Sequence, residues 1–99
     1  MSSSETLRQY AAKTIDLKSS EVAGLVASAF GCTTTKIAFR ASREAISNPT
    51  ISAEERARLR SLLKVSCEAF SRAYKGNLAA ISRASGISRQ TYYMILESI

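Results

Sequence analysis

The 99-residue chain has no histidine, no tryptophan, one proline, four glycines and two cysteines. Each scarcity closes off some chemistry. Without histidine the commonest general base, the commonest metal ligand and the usual switch near neutral pH are all missing. The four glycines are not spaced as G-x-G-x-x-G or as a Walker loop, so no phosphate-cradling loop is expected. Cys32 and Cys67 stand far apart with no C-x-x-C between them. That count excludes a four-ligand zinc site and fits two buried thiols in a reducing compartment. The longest apolar stretch, Val22 to Cys32, is about half of the roughly 20 residues a membrane span needs. The opening MSSSETLRQY lacks the charged-then-apolar layout of a signal peptide. A cytoplasmic chain is expected, with no cofactor, no metal, no small-molecule substrate and no membrane contact. No nucleophile–base pair or supported carboxylate dyad can be named, so no enzyme is expected either.

What remains is the composition of one small helical domain. Apolar residues make up 45% and charged residues 22%, with a formal net charge of +6. A domain of this size buries a smaller share of its surface than a large one, so self-association is expected. The apolar pattern predicts an all-α bundle, with no period-two segment convincing as a strand. Residues 1–18, with Leu7, Tyr10, Ala11, Thr14 and Ile15, read as an arm or a short helix. Ser19 or Ser20 can cap the next helix, which carries Val22, Leu25, Val26, Ala29 and Phe30 and ends at Gly31. A third helix follows the Thr33–Thr35 caps, with Ile37, Ala38, Ala41, Ala45 and Ile46 inward, and stops before Pro49. The strongest start signal is Ser52-Ala53-Glu54-Glu55, a capping box. From it a helix of about 22 residues runs to Tyr74, with Glu54/Arg58 and Glu68/Arg72 as i, i+4 pairs. Residues 19–75 together read as a core and dimerisation region, with Leu59, Leu62, Leu63 and Phe70 as the expected dimer interface.

Residues 76–99 carry the functional expectation. Asn77 can cap a two-turn helix with Leu78, Ile81 and Ala84 inward, Gly86 suits a sharp turn, and Ile87 plugs it. Ser88 then caps a last helix whose Tyr92, Ile95 and Leu96 face the core. Two short helices joined by such a turn form a helix-turn-helix, whose second helix enters the DNA major groove. Ser82 stands where the two helices approach, and a small side chain is expected there. The outward positions are Ser88, Arg89, Gln90, Tyr93, Met94 and Glu97. Arg89 suits guanine and Gln90 adenine through paired hydrogen bonds. Ser88, Thr91 and the helix N-terminus suit a phosphate, and Tyr93 a phosphate or a thymine methyl. No cation follows Arg89, so further positive charge is sought at Lys75, Arg72 and Arg83. The stripes Lys36/Arg40/Arg43 and Arg56/Arg60/Lys64 read as solvated helix faces. Net charge is +2 over residues 1–49 and +4 over 50–99, so the basic excess leans toward the motif.

The pattern G-N … G-I-S-R-x-T-x-Y-x-x-L, made by Gly76, Asn77, Gly86, Ile87, Ser88, Arg89, Thr91, Tyr93 and Leu96, resembles the helix-turn-helix of the Fis family (factor for inversion stimulation). The resemblance is specific over about 24 residues and architectural before them. It implies a nucleoid-associated homodimer on double-stranded DNA, with Asn77, Arg89 and Thr91 among the DNA contacts. ISRASGISRQTYYMIL is also similar to the motif of small antitoxin-type repressors. The competing expectation is therefore a regulator, antitoxin or anti-activator, that grips a protein partner.

Overall fold

Free backbone N–H groups at the start of a helix need acceptors, and five times in this chain a side chain supplies one. The computed structural model describes residues 2–99, and the described residues form six helices and no strand. These are α1 (Ser3–Ala11), α2 (Ser19–Ala29), α3 (Thr35–Ser47), α4 (Ala53–Tyr74), α5 (Leu78–Ser85) and α6 (Arg89–Glu97). Ser2, Thr34, Ser52, Asn77 and Ser88 each accept from the N–H three residues on. Only α2 starts without such a cap, at Lys18, with Ser19 and Ser20 already inside the helix. Just half of the expected capping box forms. Ser52 accepts from the Glu55 N–H, but the Glu55 carboxylate turns to Arg58 at 2.6 Å, and this i, i+3 pair replaces the expected Glu54/Arg58.

The long helix α4 organises the rest. Its buried residues Leu59, Leu62, Leu63, Ser66, Cys67, Ala69 and Phe70 cover an arc of roughly 160° at 3.6 residues per turn. That is wider than the stripe of about 100° a helix presents to one layer. All five other helices accordingly pack on α4. A chain of edge-on rings, Phe30–Phe39–Phe70, ties α2 and α3 to it, with centroids 6.0 and 6.3 Å apart. This corrects two expectations. Leu59, Leu62, Leu63 and Phe70, expected at a dimer interface, are all covered by their own chain and have no free surface for a second copy. The buried face of α3 is Thr35, Ala38, Phe39, Ser42 and Ile46. Ile37, expected inward, is half exposed, and Ala41 is exposed.

Two arginines expected at the surface hold the fold together. Arg72 does not pair with Glu68. It crosses to the α1–α2 connection, where its guanidinium donates to the carbonyls of Tyr10 and Ile15 and to the Asp16 carboxylate at 2.6 Å. It also lies 4.2 Å over the Tyr10 ring. The N-terminal segment is thereby a helix of the core, with Leu7 and Tyr10 buried, and not an arm. Arg56 donates from Nε to the Ile46 carbonyl at 3.1 Å and from Nη2 to the Asn48 carbonyl at 3.0 Å. It closes the C-terminal end of α3, where the last carbonyls of a helix have no intrahelical donor. Before Pro49 the backbone of Asn48 is extended, as the proline ring requires.

Arg72→Met keeps the length of the side chain and removes the clamp. It should cost about 1.5–3 kcal/mol in urea denaturation, with the first protection lost in amide exchange at residues 3–16. An unchanged midpoint would contradict the role given to this guanidinium.

Candidate nucleic-acid interface

The turn between α5 and α6 is pinned by three serines. Ser82 Oγ donates to the Ile87 carbonyl at 2.5 Å, and Ser85 Oγ donates to the Ile81 carbonyl at 2.7 Å. Ser88 Oγ accepts from the Thr91 N–H at 3.1 Å and shares a 2.9 Å hydrogen bond with Thr91 Oγ1. Gly86 takes φ +75°, where a side chain would be strained. Ile87 is buried beneath the turn. Ser82 was expected only to be small; it also locks the turn by hydrogen bonding, and buried Ser85 was missed altogether. The signal for Ser85 was a serine inside an apolar helix, where a hydroxyl finds a carbonyl three or four residues back; the forward bond of Ser82 to Ile87 depends on the turn and had no such signal.

The inner face of α6 is fixed to α4. Tyr92 and Ile95 are buried, and the Tyr92 hydroxyl donates to the Cys67 carbonyl at 3.3 Å. Leu96, expected inward, is 39% exposed, because α6 meets the bundle along a narrow line through positions 92 and 95. On the outer side Ser88, Arg89, Gln90, Tyr93, Met94 and Glu97 are exposed, as the spacing predicted, and Thr91 is half-buried. The first N–H groups of the helix, at Arg89 and Gln90, precede the intrahelical ladder and point outward along its axis.

Lys75 and Asn77 lie elsewhere. They stand at the far end of α5 from the turn, about 12 Å away along an eight-residue helix. Lys75 occupies the left-handed cap of α4 at φ +53°. The Asn77 side-chain oxygen is taken by the Ala80 N–H. Arg72 is spent on the α1–α2 connection and adds no charge here. Arg83, at the C-terminal end of α5, borders a hollow of about 420 Å³ with Lys36 and Gly86.

The remaining charge comes from a helix the sequence reading set aside. Lys36, Arg40 and Arg43 of α3 line one groove of about 310 Å³ with Gly86, Ile87, Ser88 and Thr91. A side chain built at Gly86 would begin 4.0 Å from Lys36 Cβ, so α3 runs directly against the turn. Arg43 Nη2 lies 3.9 Å from Met94 Sδ and links α3 to α6. Five cations, Lys36, Arg40, Arg43, Arg83 and Arg89, thus surround one turn. Their spread across residues 36–89 hid this in the sequence.

A scan of the chain against protein-family models, curated proteins and solved structures finds no match. No described helix is long and apolar enough to cross a membrane. Both cysteines are free thiols, Cys67 buried and Cys32 partly so.

Burial raises the Cys67 thiol from 9.0 to about 11, and burial likewise holds the Tyr92 phenol far above its usual range. Both groups ionise more readily in the unfolded chain, so the stability they contribute is complete below the unfolded values and is lost at higher pH. Denaturation midpoints should fall as pH rises from 9.0 through about 11, and Tyr92→Phe should lessen the fall. A flat profile over that interval, equal in both proteins, would contradict the buried contact between α6 and α4.

Proposed function

We propose that this chain is a transcriptional regulator that binds double-stranded DNA through a helix-turn-helix made of α5 and α6. The observation that carries this is the first turn of α6. It exposes Arg89 and Gln90 on a helix whose other side is buried, next to a turn flanked by Lys36, Arg40, Arg43 and Arg83. A reading helix needs both properties. Its side chains must reach base edges, and its mounting must not move when they do. In this proposal Arg89 takes a guanine through O6 and N7, and Gln90 takes an adenine through N6 and N7. Thr91, with Ser88 already bonded to it, offers its hydroxyl to a phosphate. Tyr93 and Met94 present apolar surface to a thymine methyl. The likeness to Fis includes Ser88, Arg89, Thr91 and Tyr93 of this set, though not Gln90 or Met94, and supports the reading, with the nucleoid as its site of action.

We keep the homodimer as part of the proposal but move its contact. Helix-turn-helix proteins gain a second half-site by placing a second reading helix about 34 Å along the duplex. Since the inner face of α4 is closed, the contact assigned here is the apolar edge formed by Leu78, Leu96 and Ile99 beside α4.

The second reading is a protein-binding regulator of the antitoxin or anti-activator kind. What favours it is the outer face of α6 after Arg89, where Tyr93, Met94 and Leu96 are exposed and the helix itself carries no further Lys or Arg. Selection from a random DNA pool separates the two, since a sequence reader enriches a motif and a protein binder does not.

Arg89→Ala should weaken binding to the selected site by about 1–3 kcal/mol and relax preference at one base pair. Unchanged affinity with unchanged preference would overturn the assignment of the reading helix. In sedimentation equilibrium at micromolar concentration the chain should weigh twice its monomer mass, and Leu96→Glu with Ile99→Glu should return it to one. A wild-type chain at monomer mass would contradict the homodimer.

A further inference from the structure

We infer that the groove between α3 and the first turn of α6 is a track for the DNA backbone, with Lys36, Arg40 and Arg43 holding successive phosphates of one strand. This rests on the DNA reading and adds a second contact element, from outside the helix-turn-helix.

The three side chains occupy positions i, i+4 and i+7 of α3 and share a groove with Gly86, Ile87, Ser88 and Thr91. Along the helix axis they span about 10 Å. One DNA strand carries a charge about every 3.4 Å of duplex axis, and successive phosphates lie farther apart along the strand itself, so three long side chains spread over about 10 Å can reach up to three neighbouring phosphates. The groove is open and its cations are strung out, which suits an extended polyanion better than one small anion.

The fold makes little use of these cations, which form no ion pair and no hydrogen bond to a carbonyl among the described residues. Among the described residues the ion pairs are Arg58–Glu55 and Arg72–Asp16, and neither involves α3. Lys36 and Arg40 are exposed, and Arg43 makes only its contact with the Met94 sulfur. Arg56 and Arg72 show the alternative, guanidiniums spent on main-chain carbonyls. Three like charges three and four residues apart on one helix face repel and lower its stability. Glu44 borders Lys36 and Arg40 on the side away from α6; no acidic residue lines the groove itself. The face toward the turn is therefore uniformly positive.

The position also fits the task. An α6 entering the major groove brings its N-terminal turn close to the strand that borders that groove. The α3 cations flank that same turn and would meet that strand without touching a base. They would strengthen binding to any sequence and fix the direction from which α6 approaches.

The test is the salt dependence of binding to a duplex carrying the selected motif, measured by fluorescence anisotropy on the full chain. Each phosphate contact contributes about 0.9 to the slope of log K against log salt. The triple variant Lys36→Gln, Arg40→Gln, Arg43→Gln should lower the slope by about 2.7 and leave base preference unchanged. Arg60→Gln removes exposed charge from α4 and should leave the slope nearly as it is. Lys36→Gln and Arg40→Gln, made singly, should each lower it by about 0.9 and guard against misfolding of the triple variant. If the wild type binds DNA and all α3 variants keep its slope, the track is wrong while the reading helix stands. If the wild type binds no duplex even at low salt, the DNA reading itself is wrong.

Discussion

The structure is governed by the need to cover α4. A 22-residue helix with apolar side chains over nearly half its circumference cannot lie against a single layer. Each unburied Leu or Phe would forgo about 1.5–3 kcal/mol. The chain meets this demand internally by wrapping α1, α2, α3, α5 and α6 around the helix. Covering it draws the N-terminal segment into the core under the Arg72 guanidinium. It also explains why small size did not leave half a core waiting for a second copy.

The same constraint mounts the proposed reading helix. Ile81, Tyr92 and Ile95 bury themselves in the sheath around α4, and the hydroxyls of Ser82, Ser85 and Ser88 fasten the turn between them. What α6 keeps free is its first turn and its outer side. Because α3 must cover α4 as well, its basic edge comes to rest beside that turn. The arginines and lysines thereby fall into two groups. Arg56 and Arg72 are spent on main-chain carbonyls at helix ends and connections. Lys36, Arg40, Arg43, Arg83 and Arg89 collect around a single turn, where the proposed function places a phosphate backbone. Net charge alone did not carry this distinction.

Helix ends were legible in the sequence because capping is local. Thr34, Ser52, Asn77 and Ser88 each act within three residues of themselves, and Pro49 and Gly86 constrain their own backbones. Helix faces were less legible. In α3 the series Ile37–Ala41–Ala45 has the same four-residue spacing as the buried set, and Ser42 disguises the true face by being polar and buried. In α6 apolar residues lie nearly all round, so Leu96 could be assigned inward although the bundle reaches only Tyr92 and Ile95. The partners of a long side chain were not legible at all. Arg72 bonds to groups 56 to 62 positions away, and periodicity cannot tell a carbonyl at that distance from open solvent. The α3 cations were passed over for the same reason, since their value depends on which element lies opposite. The α4 leucines were recognised as buried, but the pattern does not say whether a second copy or the same chain covers them.

The central claim is that the first turn of α6, with α3 beside it, is the surface that meets DNA. Mapping amide chemical shifts of the labelled chain during titration with a short duplex tests this most directly, because it reports every surface at once. The account predicts shifts concentrated at residues 86–91 and 36–43, with the far edge around Leu78 and Ile99 little changed. Shifts confined to that far edge, or none at all at low salt, would contradict it.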